Sequence, residues 1–414
     1  MSCSSSSTSD ISQNFSSEEA EDLIEELDIG KIQDAIIHNL KGLDRLKLPD
    51  NAIKFDADAI LSRIKERKEP DRLHEDGWVN FPTCETPAAE RHEKIKNLFN
   101  CIGEDADKIE NPTHAVPCRR WSVRCTTCNK ITPCSEHTGP PCLALVSYAK
   151  AEPAGWGNML TVVECEFGPV IASKNATLER LAKSAQSILQ YQPDRSYALC
   201  AAICNDEMAM VVFNRGGVHT SDWFSIHTSP VRFVRNLVGL MTVERAFLGF
   251  DPNMEYTKVD ARPAYTVKIN GKAYVIEELI ASSDNVRGRA TSCWKIGRDG
   301  KTFVLKDAWF KLGREGKVNE AEILRIIQGI EGVPELVEYE VCKDAGGDNH
   351  YTTMVDLKDL EAEKALTYEQ QVKAWKWDDY CRIRIVTSPF ATSFRAFKSR
   401  RELLYALITI VDGE

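Results

Sequence analysis

Three short stretches in the C-terminal third carry residue types that together could hold a phosphate chain. Gly288-Arg289-Ala290-Thr291 stands where a turn between two strands is expected. Val304-Leu305-Lys306 lies on the second strand of the hairpin that follows, and Asn319-Glu320-Ala321-Glu322-Ile323-Leu324 belongs to the next helix. An ammonium on an apolar strand can be aimed at phosphate oxygens, a helical carboxylate can fix its rotamer, and a turn can cover the phosphates. Glu320 is the expected partner of Lys306, with Glu322, two residues on, as the alternative. Each residue alone has an ordinary reading, a solvated lysine on a strand or a glutamate facing water. Their order is what gives the set meaning. The turn holds one glycine where three would ease close approach of backbone to phosphate; Ala290 and Cys293 stand in the places of the others.

A second cluster is Cys118, Cys125-Thr126-Thr127-Cys128, Cys134-Ser135-Glu136-His137 and Cys142. The Cys125/Cys128 and Cys134/His137 pairs have zinc-like spacing. Only five residues separate the two pairs, which is short for a zinc ribbon, so a free-thiol loop is the favoured reading and zinc the lesser one. His219 and His227 read as structural or solvated.

These stretches sit in a chain of 414 residues, a length for two or three domains. Lys and Arg number 52 against 62 acidic residues, a formal net charge of −10. That balance argues against a dedicated nucleic-acid binder. No run of 18 apolar residues exists, so no membrane helix is expected. The N-terminus has neither the apolar core of a signal peptide nor the arginines of a transit peptide. An intracellular place, cytoplasm or nucleus, follows, and the 14 cysteines read as buried small hydrophobes or thiols.

The elements that must position the candidate residues follow from patterning. Residues 1–17 are Ser-rich and expected to be disordered. Residues 18–120 are expected to be mostly helical. A helix opens at Ser16 and Glu19 with capping-box spacing, an apolar stripe at Ile32, Ile36, Ile37 and Leu40 has helical spacing, and a further helix lies around Glu90–Phe99. Residues 121–253 form an α/β domain with strands at Leu143–Tyr148, Met159–Phe167, Ala198–Cys204 and Met208–Phe213. Helical faces run along Leu178–Leu189 and after Ser229-Pro230. In residues 254–414, Asn270-Gly271 marks one hairpin and Asp299-Gly300 another. A helix, Val318–Ile327, strands at Glu335–Val341 and Arg382–Val386, and a helix from Ser399 complete it; an insertion spans Lys343 to Asp379. The expected class is α+β.

In this order the chain resembles the fungal-type protein kinase family. The resemblance rests on Phe213-Asn214-Arg215-Gly216-Gly217, Leu248-Gly249-Phe250-Asp251-Pro252, Gly288 to Trp294, Val304 to Trp309, Arg384-Ile385-Val386 and Arg401-Glu402-Leu403-Leu404. It covers roughly residues 155–414. It implies that residues 254–414 are a kinase small lobe, with Gly288, Ala290, Thr291, Lys306 and Glu320 binding nucleotide and Ile385 to Phe390 as the adenine hinge. ATP and Mg are the implied cofactors, and a protein Ser, Thr or Tyr hydroxyl the implied acceptor of the γ-phosphoryl group. A kinase also needs a catalytic-loop Asp and Asn and an Asp-Phe-Gly metal ligand. The chain has no His-Arg-Asp triplet and no Asp-Phe-Gly. It therefore reads as an incomplete lobe, a truncated fragment expected to be catalytically incompetent alone; the alternative is a non-catalytic, pseudokinase-like regulatory protein. The resemblance also implies a middle domain with a degenerate restriction-endonuclease-like fold. Its Pro141-Cys142 and Glu164-Cys165-Glu166 would stand at a Pro-Asp, Glu-x-Lys metal centre that has lost one carboxylate and the lysine. A scaffold is the expected role.

Overall fold

The structure is a computed structural model. It describes residues 36–109, 119–125, 141–147, 156–259, 262–283, 288–312, 319–330, 332–343, 380–391, 398–401 and 403–404. The Ser-rich tail, the helix expected from Ser16, Cys118, Cys128, Cys134, His137 and most of the expected insertion lie outside these residues.

The first layer runs β1 (Ile36–Leu40), α1 (Leu43–Lys47), α2 (Ala57–Lys65), α3 (Ala88–Ile109), β2 (Arg119–Cys125), β3 (Pro141–Ser147) and β4 (Met159–Glu166). It continues through α4 (Val170–Tyr191), β5 (Tyr197–Cys204), β6 (Glu207–Asn214), β7 (Val218–Ser221), β8 (Phe224–Ser225) and α5 (Pro230–Thr242). Its strands form one sheet in the order β1-β7-β6-β5-β4-β3-β2, with β8 beside β6. Helices cover both faces. Ile60, Ile64, Ile95, Phe99 and Leu237 share a core with Leu143, Leu199 and Met210 on one side. Leu178, Leu181 and Ile188 of α4 pack on Ala144, Val162 and Cys200 on the other. Central β5 is buried throughout, as a strand covered on both faces must be.

The apolar set Ile36, Ile37 and Leu40 forms a strand and not the expected helix. β1 pairs in parallel with β7, matching Ile36 to Val218 and Leu40 to Ser221. Edge pairing with a segment some 180 residues away overrides a spacing that suits either structure.

The second layer runs β9 (Met254–Val259), β10 (Arg262–Ile269), β11 (Lys272–Ser282), β12 (Ser292–Arg298), β13 (Lys301–Lys311), α6 (Glu320–Ile326), β14 (Glu335–Val341) and β15 (Tyr380–Ser388). Every pairing is antiparallel, in the order β14-β15-β13-β12-β11-β10-β9. Asn270-Gly271 and Asp299-Gly300 all have φ between 48° and 75°, the left-handed region that two-residue hairpins demand. One face of this sheet packs Val267, Ile269, Trp294, Ile296, Leu305 and Val386 together. The opposite face packs α6, through Ala321 and Leu324, on Cys381, Ile383 and Ile385. Among the described residues, two sheets with six α-helices make the fold α+β. Among the described residues no helix is long and apolar enough to cross a membrane.

Candidate functional site

Side chains alternate along β13, so Lys306 and Phe310 face α6 while Leu305 faces the other core. The Lys306 ammonium is ion-paired with the Glu320 carboxylate, and the two side chains remain 28% and 37% exposed. The choice between Glu320 and Glu322 has a local cause. Asn319 caps α6, its side chain accepting from the Glu322 N–H at 3.0 Å, and the Glu322 carboxylate accepts from the Asn319 N–H at 3.0 Å. This capping box consumes Glu322. Glu320, in the first helical position, is left to meet the strand.

Cys293 stands directly across from Lys306 on β12. Burial pushes its thiol pKa up, and the Lys306 charge opposes that only in part. The turn expected to cover phosphates is held at three points. Thr291 C=O accepts from Ser283 N–H at 2.9 Å, Arg289 C=O from Trp309 N–H at 2.8 Å, and Gly288 N–H donates to Arg215 C=O at 3.1 Å. Gly288 has φ +92° and Ala290 φ +37°. Ala290 thus adopts a conformation usually left to glycine, and the turn bends twice with only one glycine. The structure places Gly288, Ala290 and Thr291 on the loop between β11 and β12, one residue short of the strand that pairs with Lys306. Beyond β15, Phe390 brings its ring to 5.4 Å from the Lys295 ammonium on the Lys306 side of β12.

A cation held by a carboxylate beside such a turn suits the phosphates of a nucleotide. No group of three or more His, Cys, Asp or Glu side chains placed to hold a metal occurs among the described residues. Of the Cys125/Cys128 and Cys134/His137 pairs only Cys125 is described, at the end of β2.

A second charged set was not foreseen. Asp307, the residue after Lys306, faces away from α6 and is buried with Asp251, Arg382 and Arg384. Arg382 holds Asp307 bidentately at 2.8 and 2.7 Å and reaches Asp251 at 2.9 Å. Arg384 donates to Asp307 at 3.1 Å and is paired with Asp251. Burial pushes the Asp307 carboxyl up, but the two guanidinium groups outweigh it and hold it below the usual carboxylate value. The signal was present: Arg-Ile-Arg on an otherwise apolar strand puts two like charges on one face, which demands buried partners of opposite sign.

The stretches expected at a degraded metal centre also meet. Glu164 and Glu166 of β4 face α4, where Arg180 lies 3.6 Å from the first and 2.5 Å from the second. Ser184 donates to Glu164 at 2.9 Å. One guanidinium, that of Arg180, is thus paired with both carboxylates. Cys142, one residue before the Leu143 that pairs with Val163, is buried in the α4-side core. Burial pushes Glu164 up to about 7, against Arg180 and Ser184. Its folded value lies above the unfolded value near 4.3. The folded chain therefore holds a proton that the unfolded chain has lost, and stability falls as pH rises from about 4 to 7. Glu164→Gln is expected to remove that fall, a gain on the order of 3 kcal/mol at pH 8 and little at pH 4. Urea midpoints of both chains at the two pH values check this.

His219 is buried on β7, and burial pushes it down to about 3. His227 accepts from the Trp78 N–H at 2.9 Å. Both are structural.

A family model described as fungal protein kinase matches residues 144–414. No curated protein and no solved structure matches the chain. The family match begins inside β3 of the first sheet and takes in the whole second sheet.

Proposed function

The chain belongs to the fungal protein kinase family, and from that premise we propose that its second sheet is a kinase small lobe that binds ATP. Lys306 holds the α- and β-phosphates, Glu320 orients Lys306, and the Gly288–Thr291 turn covers the phosphate chain. The observation that carries this reading is the Lys306–Glu320 ion pair, joining a strand to the following helix. Mg is the metal such a site uses with ATP; none of its ligands is assigned to the described residues. In a kinase with both lobes the γ-phosphoryl group goes to a protein Ser, Thr or Tyr hydroxyl. The 414-residue chain has neither a His-Arg-Asp triplet nor Asp-Phe-Gly, so by itself it binds nucleotide without transferring phosphate. A non-catalytic, nucleotide-dependent regulatory role is the second reading, favoured by the same missing groups.

Calorimetric titration with MgATP tests the binding. Saturable binding is expected for the parent chain, and Lys306→Met is expected to weaken it at least about tenfold, the loss of one charge-assisted contact. Its melting temperature should hardly move, because a half-exposed ion pair contributes at most about 1 kcal/mol. Equal affinity in both chains would reject the assignment. ATP-dependent phosphorylation that Lys306→Met abolishes would reject the claim of incompetence.

A further inference from the structure

We propose that the first sheet positions the nucleotide site of the second through two anchors, one at Asp307 beside Lys306 and one at the Gly288 turn, with Asp307 as the principal positioning residue. This rests on the nucleotide reading above and assigns to that site a support built from another part of the chain.

The first anchor is the buried ion lattice. Asp307 follows Lys306 directly, so alternation along β13 sends one side chain to α6 and the other to the lattice. Asp251 lies just past the last helical turn of the first layer, and its N–H donates to Asp194 C=O at 3.0 Å, at the entrance to β5. Arg382 also donates to Ser196 Oγ at 2.5 Å. Through Asp251 and Ser196 the strand pair β13–β15 is therefore fixed to β5 and its approaches. A slip of β13 by one residue would exchange the faces of Lys306 and Asp307, burying the ammonium among arginines and exposing the carboxylate. The lattice forbids that slip.

The second anchor is the bond from Gly288 N–H to Arg215 C=O at 3.1 Å. Arg215 belongs to the turn after β6, where Asn214 Oδ1 accepts from the N–H groups of Gly216 and Gly217 at 2.9 and 3.1 Å. That side chain sets the path of the turn and hence the position of the Arg215 carbonyl. The phosphate turn and the lysine strand are thus both tied to the first layer. The family match agrees in extent, because it spans Asn214, Asp251, Asp307 and Arg384 together.

The test uses the full chain with MgATP as probe and the 13Cε NMR signal of Lys306, identified by its loss in Lys306→Met. Asp307→Asn is expected to shift that signal and to weaken ATP binding about tenfold, while Asp307→Glu restores most of both. Leu237→Ala, which opens the first core at a residue belonging to neither anchor, serves as a control. It should lower the melting temperature but leave the signal and the affinity as they are. If Asp307→Asn does not fold, Asp251→Asn is measured by the same two readouts, with the same expectation. An anchor variant that folds and keeps the parent signal and affinity overturns the proposal. So does a control that moves both as much as the anchor variant, because destabilisation alone would then explain them. Should no chain bind ATP, the nucleotide reading fails while the Lys306 signal still decides whether the lattice sets its position.

Discussion

Arg384→Met is expected to destabilise the chain by about 3–5 kcal/mol, a large share of the roughly 5–15 kcal/mol that holds a typical domain folded. The parent lattice bonds two carboxylates to two guanidinium groups, all nearly inaccessible to solvent, with the buried Arg215 guanidinium near Asp307 and Arg382. Removing Arg384 takes from Asp251 and from Asp307 one of the two guanidinium groups bonded to each, and buried carboxylate oxygens lose hydrogen bonds that no water can replace. Methionine fills the space of the arginine stem, so the cost is electrostatic and not a cavity. The pH dependence has a definite sign. Asp307 is held below its unfolded value near 3.9, so its contribution is complete above that value and lost as pH falls through the lower folded one. In Arg384→Met its carboxyl rises and acid sensitivity begins at higher pH. Urea midpoints at pH 7 and pH 4.5 measure both effects. Midpoints equal to the parent's at both values would mean that the lattice contributes nothing net.

Gly249→Ala is expected to cost at least about 4 kcal/mol, and Gly271→Ala only about 1 kcal/mol. Both glycines have positive φ, +102° and +75°, so each alanine carries the left-handed strain. Their surroundings differ. A Cβ on Gly271 meets nothing within 4 Å, whereas one on Gly249 would lie 1.9 Å from the Tyr197 carbonyl oxygen. That approach is fixed by the bond from Ser196 N–H to Gly249 C=O at 2.8 Å. To relieve the clash the connector must withdraw from β5. The neighbouring Leu248 carbonyl, which accepts from the fully buried Arg195 guanidinium, withdraws with it. Asp251 lies two residues on, so the lattice is disturbed as well. Thermal melts of the two variants separate strain from collision. Equal effects would show that the close approach is not rigid.

The second layer was largely legible because its signals are local. Asn270-Gly271 and Asp299-Gly300 fix two hairpins by their turn chemistry, and the pattern places a helix over Val318–Ile327, which the capping box of Asn319 and Glu322 trims to Glu320–Ile326. The spacing from Lys306 to Glu320 could then be read as a strand facing a helix. What was not legible depends on partners remote in sequence. β1 reads equally well as a helix until β7 is placed beside it. β2 carries no strand pattern because its arginines mask Trp121 and Val123; only the fold shows Arg119 buried and donating to the Leu240 carbonyl. The same holds for the ions. Lys306 was singled out because phosphate chemistry needs a lysine there, whereas Asp307 beside it acquires its partners only when β13 pairs with β15. The stretches Leu248–Pro252 and Arg384–Val386 suggested kinship by resemblance; the structure assigns Asp251 and Arg384 to one lattice.

The central claim is that nucleotide phosphates lie against Lys306. Labelling with an acyl-phosphate derivative of ATP tests it most directly, since a lysine touching the phosphates takes the acyl group on its Nζ. Peptide mass spectrometry of the labelled 414-residue chain should find Lys306 as the principal modified lysine, and excess MgATP should suppress that label. Labelling spread over surface lysines and unaffected by MgATP would contradict the account.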